Sequence, residues 1–110
     1  MQLSSEKLGK SVVVHIKGRM DVTTAPKYEV ECNKWIDRGE SILVMDLGEL
    51  EYISSAGLRS ILIIAKKVKS KKGDICFCNA SDMVKEVFSF SGFSSMFHMC
   101  DSVQEAVCHF

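Results

Sequence analysis

Residues 42–68 read ILVMDLGELEYISSAGLRSILIIAKKV, and the change of period within them decides the architecture. Ile42, Leu43, Val44 and Met45 form an unbroken apolar run ending at Asp46, the pattern of a strand covered on both faces. Leu58, Ile61, Leu62, Ala65 and Val68 then recur at the spacing of a helix with one apolar face. Lys66, Lys67, Lys69, Lys71 and Lys72, followed by Gly73, mark its end, since cations complement the terminal carbonyls and glycine admits the turn. These lysines also suggest a nucleic-acid patch, but dipole compensation on a solvated face is the commoner use. A covered strand followed by an amphipathic helix is one unit of an α/β layer fold.

The same alternation extends in both directions. Val12, Val14 and Ile16 recur every second residue, and Ile75–Cys78 repeat the covered-strand pattern. Weaker strands are expected over Met96–Cys100 and near Gln2–Leu8. Ala25, Tyr28, Cys32 and Trp35 fit a helix with Pro26 in its first turn, where a missing N–H costs little. Val84, Val87 and Phe88 suggest a helix after Ser81 and Asp82. Ser102 and Glu105 fit a capping box for a last helix carrying Val103, Ala106, Val107 and Phe110. The expected fold is a single α/β domain over 1–110, with a mixed, largely parallel sheet of 4–5 strands and about four helices.

Composition narrows the function classes. Fourteen basic and fourteen acidic side chains cancel, so no global charge draws the chain to nucleic acid or an anionic membrane. The longest apolar run, Ile61–Ala65, is far too short to span a bilayer, and direct membrane insertion is not expected. The first residues lack a basic stretch followed by an apolar one, so the expected location is cytoplasmic. Cys32, Cys76, Cys78, Cys100 and Cys108 are odd in number and lack paired zinc-ligand spacing. Buried apolar thiols are the expectation for them, with no metal. His15, His98 and His109 share no motif with them and read as strand or tail residues.

The junction Leu50-Glu51-Tyr52-Ile53-Ser54-Ser55-Ala56-Gly57-Leu58 joins the strand ending near Asp46 to the helix beginning near Ser55. A serine there has two uses. As a cap it accepts a hydrogen bond from a first-turn amide, worth about 1 kcal/mol. As a phosphoacceptor it carries about −1.5 to −2 charge onto free N–H groups at the positive end of the helix dipole. The residues alone leave both open, the cap being the commoner. No G-x-S-x-G elbow, catalytic triad order, phosphate loop or dinucleotide fingerprint is present, so no enzyme and no cofactor are expected. Asp21, Asp46, Glu49 and Glu51 are carboxylates suited to a magnesium site, though loop and cap roles are commoner without defined ligand spacing.

The run Tyr52-Ile53-Ser54-Ser55-Ala56-Gly57-Leu58 resembles the signature of the STAS domain of bacterial anti-sigma factor antagonists. Gly18-Arg19-Met20-Asp21 resembles the family's glycine-to-aspartate turn, and Leu43-Val44-Met45-Asp46-Leu47 its central strand. The resemblance spans nearly the whole chain. It implies a partner switch: the unphosphorylated antagonist binds an anti-sigma factor that is also an ATP-dependent serine kinase, and a sigma factor is freed. The kinase then phosphorylates a serine at the helix start and the complex separates, and a metal-dependent serine phosphatase resets it. Aligned on Gly57 and Leu58, the phosphorylated serine is Ser55, with Ser54 a second possible acceptor.

Three positions depart from the commoner motif. Ser54 stands where an aspartate is usual, Ala56 replaces a second hydroxyl, and Arg59 replaces a residue that is often small. If the family's loops converge, Asp21 and Asp46 lie beside Ser55. Ile63 lies nearly opposite the centre of the Leu58–Val68 stripe and is expected, with Ala56, Gly57 and Arg59, on a docking face. The alternative is a STAS-type interaction subunit of a transport or signalling assembly without phosphorylation. An enzyme using the serine and acidic loops ranks last.

Overall fold

Parallel strands that follow one another across a sheet, joined by right-handed crossovers, place their connecting helices on one side. The computed structural model, which describes Met1–Phe110, has this arrangement. β1 (Gln2–Leu8) pairs antiparallel with β2 (Ser11–Met20). β3 (Ile42–Ile53), β4 (Asp74–Cys78) and β5 (His98–Cys100) then add in parallel, giving the order β1-β2-β3-β4-β5. Between them run α1 (Ala25–Asp37), α2 (Ser55–Ser70), α3 (Asp82–Phe90) and the single turn α4 (Phe93–Met96), and α5 (Val103–His109) ends the chain. The sheet matches expectation. Met96 belongs to α4, however, and β5 begins only at His98.

The two faces of the sheet carry unequal cores. Val12, Val14 and Ile16 of β2, Leu43 and Met45 of β3, and Ile75 and Phe77 of β4 point toward α1, α2 and α3. Full burial of side chains of this size contributes about 1.5–3 kcal/mol each. Phe77, Phe88, Phe93 and Phe97 meet edge-to-face at 5.4–6.1 Å, which holds α4 against the sheet. On the other face Val13, Val44, Cys76, Cys78 and Cys100 pack only against Ala106 and its neighbours on α5.

Two boundaries differ from the sequence reading. β3 does not stop near Asp46 but runs on to Ile53, paired with β2 as far as Met20. Register shifts between His15 and Lys17 and between Gly18 and Arg19 put extra residues on β3. Each such bulge leaves one residue unpaired and advances the side-chain alternation. As a result Leu47, Leu50 and Ile53 are buried at spacings of three instead of two. At the end of α2 the left-handed residue is Lys72 (φ 62°), not Gly73. Gly73 serves a close approach instead, because a Cβ there would fall on the Ser41 carbonyl.

Gly73→Ala should therefore lower unfolding free energy by about 1–3 kcal/mol in urea melts, as overpacking against rigid backbone does. Lys72→Gly, which relieves a side chain at positive φ, should cause no such loss.

Candidate functional site

The start of α2 is fixed to the end of β2. Ser54 has extended backbone (φ −90°, ψ 174°), and its Oγ accepts the Gly57 N–H at 3.2 Å. Its carbonyl accepts the Leu58 N–H, and its own N–H donates to the Met20 carbonyl, both at 2.9 Å. Ser54 is thus the N-cap. Ser55 is the first residue of the helix, exposed, with its hydroxyl in no intramolecular hydrogen bond. The cap therefore falls on Ser54, and the hydroxyl of Ser55 is left outside it.

Gly57 permits this docking. A Cβ at that position would lie 2.9 Å from the Met20 carbonyl, Met20 Cγ and Ile53 Cγ1. Next to Met20, Asp21 organises the loop into α1. Its Oδ1 accepts the Thr23 hydroxyl at 2.6 Å and the Thr23 and Thr24 N–H groups at 3.0 and 3.2 Å. The Thr23 hydroxyl and these amides hold the Asp21 carboxyl below its ordinary value of 3.8. Asp21, Ser54, Ser55 and Gly57 therefore share one end of the sheet.

Gly57, expected on the docking face, is instead buried, because it packs against Met20 and Ile53. The buried face of α2 is centred on Gly57, Ile61, Ile64 and Val68, while Leu58 and Leu62 are only half-buried. Ile64, which is not among the stripe residues read from the spacing, is in the core because Gly57 draws that side of the helix onto β2 and β3. At about 100° per residue, Ser55, Arg59, Ile63 and Lys66 lie within an exposed strip about 80° wide. Ile63 is 46% exposed, and Arg59 forms no ion pair. Ala56, at the edge of the strip, is half-buried. Val22, 72% exposed beside Asp21, adds an apolar residue that the sequence reading did not identify. Its signal was a valine inside the polar turn Asp21-Val22-Thr23-Thr24.

Asp46 is not part of this group, and the expected convergence does not occur. Its partner on β2 is His15, five residues before Met20, so about 16 Å of strand separates them at ~3.3 Å per residue. The extension of β3 is the reason. Asp46 instead accepts His15 Nδ1 at 2.6 Å, Asn79 Nδ2 at 3.0 Å and the Gly48 N–H at 3.1 Å. Burial would raise its pKa, but hydrogen bonds from Asn79, His15 and Gly48 outweigh that and lower it. Burial would likewise lower His15, but Asp46 and Glu6, which meets Nε2 at 3.0 Å, raise it above 6.5. Glu49 faces Lys17 at 3.5 Å. The four carboxylates thus form no common magnesium site.

A fold of five sequential strands with a capped serine turn at the end of the central pair is that of a STAS domain. The STAS domain family model matches residues 2–106, and the chain belongs to the STAS-domain family of anti-sigma factor antagonists. A Bordetella bronchiseptica protein named BtrV, a candidate anti-sigma factor antagonist, is 36% identical over 110 residues, covering 100% of this chain and 95% of its own. A Thermotoga maritima structure described in the same terms superposes with a TM-score of 0.92 at 18% identity, over 97% of this chain and 92% of that one. The phosphorylated form of the Bacillus cell fate determinant SpoIIAA gives 0.80 at 20% identity, over 98% of each chain. At those identities the two structures speak for the fold. No helix here is long and apolar enough to cross a membrane.

Two measurements check this geometry. Ser54→Ala should cost about 1 kcal/mol in chemical denaturation through loss of the cap, whereas Ser55→Ala should stay within about 0.5 kcal/mol of the parent. His15 has a raised folded-state pKa, so its stabilising charge is fully present below pH 6.5 and lost as pH rises through the folded value. The stability gap between the parent and His15→Gln should therefore be wider at pH 6 than at pH 8.

Proposed function

We propose that this chain is a non-enzymatic anti-sigma factor antagonist switched by phosphorylation of Ser55. In this reading the unphosphorylated chain binds an anti-sigma factor with serine kinase activity and thereby frees a sigma factor. The kinase uses ATP to phosphorylate Ser55, the complex separates, and a metal-dependent serine phosphatase restores the hydroxyl. The observation that carries the reading is the division between two serines. Ser54 is engaged in the cap, while Ser55 presents a free, exposed hydroxyl in line with Arg59 and Ile63.

The chemistry follows from the position of Ser55. Among the first four N–H groups of α2, those of Gly57 and Leu58 are bonded to Ser54, and those of Ser55 and Ala56 remain for an anion. A phosphate there gains about 0.3–1 kcal/mol from the helix dipole, and Arg59 one turn away can pair with it. The modification therefore leaves the fold of this domain intact. Its effect falls on the docking face. There about −1.5 to −2 charge joins Asp21 beside Val22 and Ile63, and desolvating that charge opposes a partner that accepts a neutral surface. A hundredfold change in affinity needs only about 2.7 kcal/mol.

With the chain's own anti-sigma factor, Ser55→Asp should weaken binding about a hundredfold in titration calorimetry while its melting temperature does not fall. Ser55→Ala should bind like the parent but stay bound when ATP is added. Ile63→Asp should cost about tenfold or more in affinity with the fold preserved. Parent-like binding by both Ser55→Asp and Ile63→Asp would remove this face from the interaction and leave a STAS-type subunit of another assembly.

A further inference from the structure

Pairing of β4 with β5 sets Cys76 opposite His98, with Cys100 two residues further on the same face. The Cys76 and Cys100 sulfurs are 3.1 Å apart, and one ring nitrogen of His98 completes a group of three ligand atoms all within 4.8 Å of one another. His109, from the end of α5, stacks on His98 with ring centroids 4.0 Å apart and planes 11° from parallel. We propose that Cys76, His98 and Cys100 form a zinc site at the C-terminal edge of the sheet, with His109 orienting His98.

Four of the five thiols are buried as expected, while Cys108 on α5 is exposed, and only Cys76 and Cys100 meet sulfur to sulfur. Cys32 sits in the main core, and the Cys78 sulfur is directed at the Met45 carbonyl, 3.6 Å away. Cys76 and Cys100 are buried and face each other, and the third member of the group, His98, is exposed to solvent. Two thiolates and an imidazole are a donor set suited to Zn²⁺, whose tetrahedral geometry leaves a fourth position for water. Binding forms two Zn–S bonds and one Zn–N bond. The two S–H protons leave to solvent, with no change of oxidation state. Because the ligands come from β4 and β5, and α5 lies over them, the ion clamps the shortest strand and the last helix to the sheet. The serine turn uses none of these residues, so the site stands or falls independently of the proposed switch.

The test is titration of the reduced, metal-free chain with Zn²⁺ against a chromophoric chelator, alongside cobalt substitution and hydrogen exchange. One ion per chain is expected, together with a thiolate-to-cobalt charge-transfer band and slower exchange across residues 98–109. His98→Ala, an exposed change that spares the core, should weaken zinc binding by more than about tenfold. Cys76→Ser with Cys100→Ser should abolish the cobalt band. Unchanged zinc affinity in His98→Ala, or bound cobalt without a thiolate band, would overturn the site. So would an air-oxidised Cys76–Cys100 disulfide in a chain that takes no zinc after reduction.

Discussion

The contact on which the site depends is the seating of Gly57 against the Met20 carbonyl and the Ile53 side chain. Side chains of every other residue type begin with a Cβ, and that atom would push the first turn of α2 away from the ends of β2 and β3. With glycine there, the Ser54 amide reaches the Met20 carbonyl and the Ser54 hydroxyl reaches back to the Gly57 amide. One close approach thus fixes the cap, the direction of α2 and the outward position of Ser55. It also brings Asp21 and Val22 to the same end of the sheet, because they follow Met20 directly.

From that constraint comes a difference between two adjacent residues, on which the proposed switch rests. Ser54 is committed to backbone groups, and loss of its hydroxyl costs stability. Ser55 is committed to nothing in the fold, so its charge can change without repacking a core. In the proposed switch, the helix terminus that accepts the negative charge is also the terminus the partner approaches. Stabilisation of the modified chain and disruption of its complex are compatible for this reason.

Much of this was readable from periodicity. The covered runs at Ile42–Met45 and Ile75–Cys78 and the stripe through Ile61, Ala65 and Val68 are local patterns, and the structure keeps them. The far half of β3 was not readable, because its bulges convert strand alternation into the three-residue spacing of Leu47, Leu50 and Ile53. The strand was therefore read as ending where its unbroken apolar run stops, which placed Asp46 at a junction it does not occupy. The division of labour between Ser54 and Ser55 turns on a single residue of helix boundary, which capping preference leaves open when two serines are adjacent. The meeting of Cys76 with His98 and Cys100 depends on pairing between strands more than twenty residues apart, and no local spacing encodes it.

The central claim is that charge on Ser55 decides whether the chain is held by a partner. The direct measurement is phosphopeptide mapping of the chain taken from its own cells, after separation into partner-bound and free fractions. Phosphate on Ser55 confined to the free fraction is the predicted result. Phosphate on Ser55 at equal occupancy in both fractions would contradict it.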